Sequence, residues 1–141
     1  TQFASSAASD VYKRQVDNDT FDIGGDLVAS KGNRLAYVPE KRLVITLDKD
    51  FVIAGLPAYF GLDYNYTGDR WADDGNSLSM PSYSLMNTRL GVDFQSGTTA
   101  ELFIRNVNDT DPVLGLYDDF SEYRKTSGQP RVIGVRVRYK F

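Results

Sequence analysis

An all-β, antiparallel fold is predicted by three properties of the 141-residue sequence. Nine Tyr and eight Phe accompany twelve Gly, a mix that suits strands and turns rather than helices. Five segments between residue 41 and the C-terminus alternate apolar and polar side chains with period two, the signature of a sheet with unlike faces. The connections between those segments alternate short and long.

Residues 1–15 show no useful periodicity, and Ser5-Ser6-Ala7-Ala8-Ser9-Asp10-Val11-Tyr12-Lys13-Arg14-Gln15 resembles a peptide that recurs where sequencing-adapter bases have been translated in metagenomic assemblies. This stretch is expected to be artefactual or disordered and to lie outside the fold. Residues 16–40, rich in Asp, Asn and Gly, are expected to form mainly an external loop, with a short strand possible around residues 21–28. From residue 41 the pattern changes. Leu43, Ile45, Leu47, Phe51 and Ile53 share one parity, interrupted only by Lys49.

A Gly/Pro turn at residues 54–57 leads to Ala58, Phe60, Leu62, Tyr64 and Tyr66 on one face, with Gly61, Asp63 and Asn65 on the other. After a polar stretch, residues 83–94 place Met86, Thr88, Leu90, Val92 and Phe94 opposite Asn87, Arg89, Gly91 and Asp93. Across a short turn, residues 98–107 set Ala100, Leu102 and Ile104 against Glu101 and Arg105. A second polar stretch, residues 108–129, precedes the last segment. There Ile133, Val135, Val137, Tyr139 and Phe141 alternate with Gly134, Arg136, Arg138 and Lys140.

Composition also narrows function. The chain has no Cys and no His, which removes disulfides, thiolate chemistry, the Ser-His-Asp triad and the commonest zinc ligand together. No catalytic residue, metal site or cofactor is predicted, and an enzyme is disfavoured. A net charge of -3 with interspersed signs offers no basic stripe for nucleic acid. Asp109, Asp111, Asp118, Asp119 and Glu122 make one loop acidic, but their spacing fits no Ca²⁺ loop; a solvated external loop is expected.

Two architectures generate such alternation, a soluble sheet with one face on a core and a membrane barrel with one face on lipid. The segments approach the roughly 9 to 11 residues that cross a bilayer at barrel tilt, beyond the mode of about 5 or 6 in globular sheets. Short turns alternate with long polar connections, as at the two ends of an outer-membrane barrel. Phe51, Phe94, Tyr139 and Phe141 fall near one end, and Tyr64, Tyr66 and Trp71 near the other, like two interfacial girdles. The chain is therefore expected to hold the last five or so strands of an up-and-down transmembrane β-barrel, an open sheet in isolation, over residues 41–141. A soluble β-sandwich or small-barrel binding module is the alternative.

The motifs within these segments carry a family resemblance. Leu35-Ala36-Tyr37-Val38-Pro39 resembles the Leu-Pro-Tyr-x-Pro entry to a strand in TonB-dependent receptors. Pro81-Ser82-Tyr83-Ser84-Leu85-Met86-Asn87-Thr88-Arg89-Leu90-Gly91 resembles that family's Pro-x-Tyr-x-Leu-x-Asn-x-Arg-x-Gly strand. Asn106-Val107-Asn108-Asp109 resembles its Asn-Leu-Phe-Asp ending, with Asn108 in place of the usual aromatic. Ile133, Val135, Val137, Tyr139 and Phe141 resemble the C-terminal signal read by the barrel assembly machinery.

The resemblance implies an active importer in the bacterial outer membrane. A barrel of about 22 strands would surround an N-terminal plug that couples to TonB, and plug and TonB box would lie upstream. The cargo would be a scarce small molecule, such as a ferric siderophore, cobalamin or a glycan. Arg89, Arg105, Arg136 and Arg138, with Asp63, Asp93 and Glu101, are expected to face the lumen as candidates for plug or substrate contact. A Lys or Arg facing lipid at mid-membrane costs roughly 2–4 kcal/mol, which assigns Arg136 and Arg138 to the inner face.

Overall fold

The computed structural model describes residues 3–11, 20–21, 27–94, 97–119 and 122–140. Among these residues the main element is a six-stranded antiparallel sheet in the order β1 (Phe3–Val11), β4 (Lys41–Ile53), β5 (Leu56–Thr67), β8 (Tyr83–Asp93), β9 (Thr98–Arg105) and β12 (Val132–Tyr139). Three small two-stranded ribbons lie in the connections. They are β2 (Thr20–Phe21) with β3 (Leu27–Ala29), β6 (Arg70–Trp71) with β7 (Ser79–Met80), and β10 (Val113–Asp119) with β11 (Glu122–Ser127). Each strand of the main sheet from β4 onward pairs with its predecessor in that sheet, an up-and-down meander.

The five alternating segments correspond to β4, β5, β8, β9 and β12. The outer strand was not expected. The sequence pattern of residues 1–15 places them outside the fold, yet Phe3–Val11 pairs residue for residue with β4, from Phe3 opposite Lys49 to Val11 opposite Lys41. A strand edge offers backbone N–H and C=O groups to any extended segment, so pairing requires no side-chain alternation.

Tight turns join strands at one end. Between β4 and β5 only Ala54 and Gly55 intervene, with φ of 51° and 79°, as a type I′ hairpin requires at both central residues. The β8–β9 turn closes with Phe94 N–H donating to Thr98 O at 2.7 Å. Lys140 N–H donates to Gly97 O at 3.1 Å, which brings the end of β12 to this same short-turn side. Long connections occupy the opposite end.

Register gives the sheet two unlike faces. Directly paired residues share a face, so Leu47, Leu62 and Thr88 line up with Ile104, and Leu90 with Leu102 and Val135. This apolar face is open. Ile133, Val135 and Val137 are 65–69 % exposed, and among the described residues no second sheet covers them. The sandwich alternative finds no second layer among the described residues. Lys49 lies on this face, opposite Phe60 and near the short turn. The side chains of Ile133, Val135, Val137 and Tyr139 follow one another along β12, while Phe141 lies outside the described residues.

Candidate functional site: the polar face of the sheet

The opposite face collects the charge. Asp63 pairs with Asn87, Arg89 with Phe103, Gly91 with Glu101, Asp93 with Thr99, and Glu101 with Arg136; Arg105 and Arg138 share that parity. All seven charged candidates, Asp63, Arg89, Asp93, Glu101, Arg105, Arg136 and Arg138, thus stand on one face. The structure brings five of them into two clusters and leaves Asp93 and Arg105 outside both.

The first cluster is centred on Arg89. Its Nη1 donates to Asp63 Oδ2 at 3.2 Å, and its Nη2 is paired with Asp48 Oδ1. To reach both, the guanidinium lies flat over Gly61, where an added Cβ would stand 2.6 Å from Cζ. Asp63 also accepts a hydrogen bond from Thr46 at 3.2 Å.

The second is centred on Glu101, only 5 % exposed. Tyr59 donates its hydroxyl hydrogen to Oε2 at 2.7 Å, Arg136 Nη1 donates to Oε1 at 2.8 Å, and Arg138 Nη2 lies 3.7 Å from Oε2. A carboxylate withdrawn from water this far costs free energy unless it is paired and hydrogen-bonded; the two donors and the nearby Arg138 charge supply that compensation. Tyr59 arrives by lying over Gly91, whose Cβ, if present, would collide with the ring. Phe103 covers Gly134 in the same way, 2.5 Å from the position a Cβ would take. Arg105 and Arg136 lie 5.3 and 5.5 Å from the Phe103 ring centroid. An open groove of about 210 Å³ runs between the two clusters, lined by Asp63, Asn87, Arg89, Phe103, Arg105 and Arg136. Asp93 accepts from Thr99 at 2.6 Å.

These contacts give each letter of Asn87-x-Arg89-x-Gly91 a physical task, because spacing by two keeps the three residues on one face. Asn87 Oδ1 accepts the backbone N–H of Asn106 at 3.0 Å, Arg89 ties β8 to β4 and β5, and Gly91 leaves room for Tyr59. Asn106, at φ 52° and 4 % exposed, then closes the foot of the β10–β11 ribbon by donating Nδ2 hydrogens to Thr110 O and Gln129 O.

Asp48 and Tyr59 were missed by the sequence reading. Both carry the polar-face parity of their strands, and an aromatic among Gly61 and Asp63 was the available signal.

At the long-connection end, Arg34 donates to Asp69 Oδ2 at 2.9 Å and to Asp69 O at 2.7 Å. The guanidinium hydrogen bond holds the Asp69 carboxyl below the usual carboxylate range, against the opposing effect of burial. Burial also pushes Asp73 upward, but the backbone N–H groups of Ser77 and Leu78 and the Ser77 hydroxyl outweigh it, so its pKa is lowered. Asn76 Oδ1 accepts Arg34 N–H at 2.8 Å, and Asp74 Oδ1 accepts Ala36 N–H at 2.8 Å. Residues 33–37 and 69–78 are thereby interlocked. Among the described residues no group of acidic side chains is arranged to hold a metal ion.

The family model for the TonB dependent receptor-like β-barrel matches residues 2–107. The chain belongs to the TonB-dependent receptor β-barrel family. Its fold is similar to that of the ferric yersiniabactin uptake receptor FyuA from Yersinia pestis, at TM-score 0.75 and 20 % identity over 82 % of this chain and 18 % of that one. It is also similar to the ferric-catecholate import receptor Fiu from E. coli K12, at TM-score 0.72 and 18 % identity over 96 % of this chain and 18 % of that one. BauA, the ferric preacinetobactin receptor from Acinetobacter baumannii, matches at TM-score 0.57 and 15 % identity, over 76 % of this chain and 16 % of that one. No curated protein sequence matches. The chain thus spans less than a fifth of the length of the solved receptors it resembles. As part of a TonB-dependent receptor β-barrel, its open six-stranded sheet is one stretch of wall, whose two edges offer backbone groups to neighbouring strands.

Proposed function

We propose that this chain supplies part of the wall of an outer-membrane, TonB-dependent importer, with its apolar face against lipid and its polar face toward the lumen. One observation carries the reading: strand register gathers the seven charged candidates on one face and leaves behind them an apolar face that nothing covers among the described residues. The polar clusters act as a self-compensated inner wall. Arg89 and Glu101 satisfy their charges within the sheet, so the wall can face a water-filled or plug-filled lumen without demanding a bound ion. Asp63, Arg89, Asp93, Glu101, Arg105, Arg136 and Arg138 would border the receptor's own N-terminal plug and the cargo's route. Ile133, Val135, Val137, Tyr139 and Phe141 would be presented to the barrel assembly machinery.

For the cargo, the reading favours a ferric siderophore over cobalamin or a glycan, because the three solved receptors named above are each described with a ferric chelate. The test is to express the complete gene in a Gram-negative strain stripped of its own iron-chelate receptors and supply ferric catecholate, hydroxamate and mixed chelates singly. Growth on at least one of them, lost when TonB is deleted, is expected. A folded product in the soluble fraction overturns the membrane reading; TonB-dependent growth on cobalamin or a glycan alone overturns the cargo.

A further inference from the structure

The β10–β11 ribbon leaves the main sheet at the long-connection end. Two-stranded ribbons of this length are marginal by themselves, and every residue of β11 is exposed. Its foot is fixed by Asn106 and by Asp109, whose Oδ1 accepts Arg131 N–H at 3.0 Å. A foot fixes where the strands emerge. It does not fix which way they lean.

Two contacts beyond the foot set the lean. Arg70, on β6, is 6 % exposed, donates Nη2 to Val113 O at 2.7 Å, and lies 5.3 Å from the Tyr83 ring centroid. Tyr37 accompanies it: its N–H donates to Trp71 O at 2.7 Å and its hydroxyl to Leu116 O at 3.3 Å. Arg70 Nη1 is buried with no acceptor among the described residues. A guanidinium with no task here would turn to water, since burying an unpaired donor is unfavourable. Its stack on Tyr83 and its bond to β10 hold it inward, and a planar fork makes both contacts at once where an ammonium cannot.

We infer that Arg70 is a positioning residue that locks the β10–β11 ribbon onto residues 33–37 and 69–78, so that the external mouth of the receptor is preorganised. The inference rests on the importer reading for the word external. Buried as it is, Arg70 would raise capture of cargo by removing freedom from the ribbon and would touch no cargo itself.

The test uses the intact receptor in lipid, with spin labels at Ser79 and Thr126, both exposed. A single narrow distance distribution is expected. It should widen at least twofold in Arg70→Met and less in Arg70→Lys, while heat-modifiable migration shows the barrel still folded. If Arg70→Met does not fold, Arg70→Lys and Tyr37→Phe carry the test, and widening in either supports the lock. A distribution unchanged in the folded variants, or already broad in the parent receptor, overturns it. The distance readout needs no transport, so failure of TonB-dependent uptake would count against the importer reading and leave the lock standing.

Discussion

Tyr59 on β5 reaches across β8 to hydrogen-bond Glu101 on β9 at 2.7 Å, and it does so over the bare backbone of Gly91. Three strands are joined by one side chain because the middle strand lacks a Cβ at the crossing. A methyl group there must displace the ring. Gly91→Ala is expected to destabilise the folded receptor by about 1–3 kcal/mol, the usual range for overpacking, measured by chemical denaturation in lipid vesicles. In a Tyr59→Ala background the same change should cost little, and equal costs in the two backgrounds would refute the crossing.

Removing the acceptor is a separate matter. Glu101→Ala leaves the Tyr59 hydroxyl and two guanidinium groups facing a buried site, while Arg136 and Arg138 keep 46 % and 61 % of their side-chain exposure and can partly turn to water. The expected loss is about 1–3 kcal/mol, smaller for Glu101→Gln, which retains an acceptor for Tyr59. Denaturation in vesicles again measures it, and a neutral Glu101→Ala would contradict the cluster.

The turn between β4 and β5 makes the opposite prediction. Ala54 holds φ at 51°, a left-handed conformation that costs an L-residue with a Cβ roughly 1–2 kcal/mol, whereas Asn-Gly suits a type I′ hairpin. Ala54→Asn should therefore stabilise the receptor by about 0.5–1 kcal/mol. A lower denaturation midpoint would show that the turn is not strained at this position.

Much of this could be read from the chain itself, for a definite reason. The period-two pattern of β4, β5, β8, β9 and β12 reports which face each side chain takes, so Arg89, Glu101 and Arg136 were legible as sharing one. Their partners were not. Whether Arg89 meets Asp48 or Asp63 depends on cross-strand register, and the Tyr59–Glu101 contact skips a strand altogether. Arg70 and Asn106 sit beyond the strands' regular pattern, where no periodicity announces burial. β1 escaped notice because Ser5, Ser6, Ala7, Ala8 and Ser9 carry no alternation, while its pairing with β4 is a backbone match.

The loop interlock should depend on acid. Asp73 and Asp69 have lowered folded pKa values, so their contribution to stability is fully present above the unfolded carboxylate value of about 4. It is lost as pH falls through the lower folded values. Amide protection factors at Ser77 and Leu78, corrected for intrinsic exchange, should fall as pH drops below about 4. Asp73→Asn, which keeps an acceptor but does not titrate, should flatten that dependence; an equally steep curve would remove Asp73 as its source.

The two faces of β12 give the sharpest contrast, because Val135 and Arg136 are neighbours at nearly the same height. Val135 is 69 % exposed on the apolar face, and with that face on lipid, as proposed, an Arg there must reach from the bilayer interior to water, at roughly 2–4 kcal/mol. Arg136 stands on the other face, where its charge meets Glu101 at 2.8 Å. Replacing it with Val removes one donor from the buried Glu101, which keeps Tyr59 and Arg138 beside it; that costs about 1–2 kcal/mol, and no charge enters lipid. Val135→Arg should therefore lower stability in vesicles more than Arg136→Val does. If the order were reversed, the face assigned to lipid would be the lumenal one, and the inner-wall placement of Arg89, Glu101 and Arg138 would fall with it, since register ties all four to a single side of the sheet.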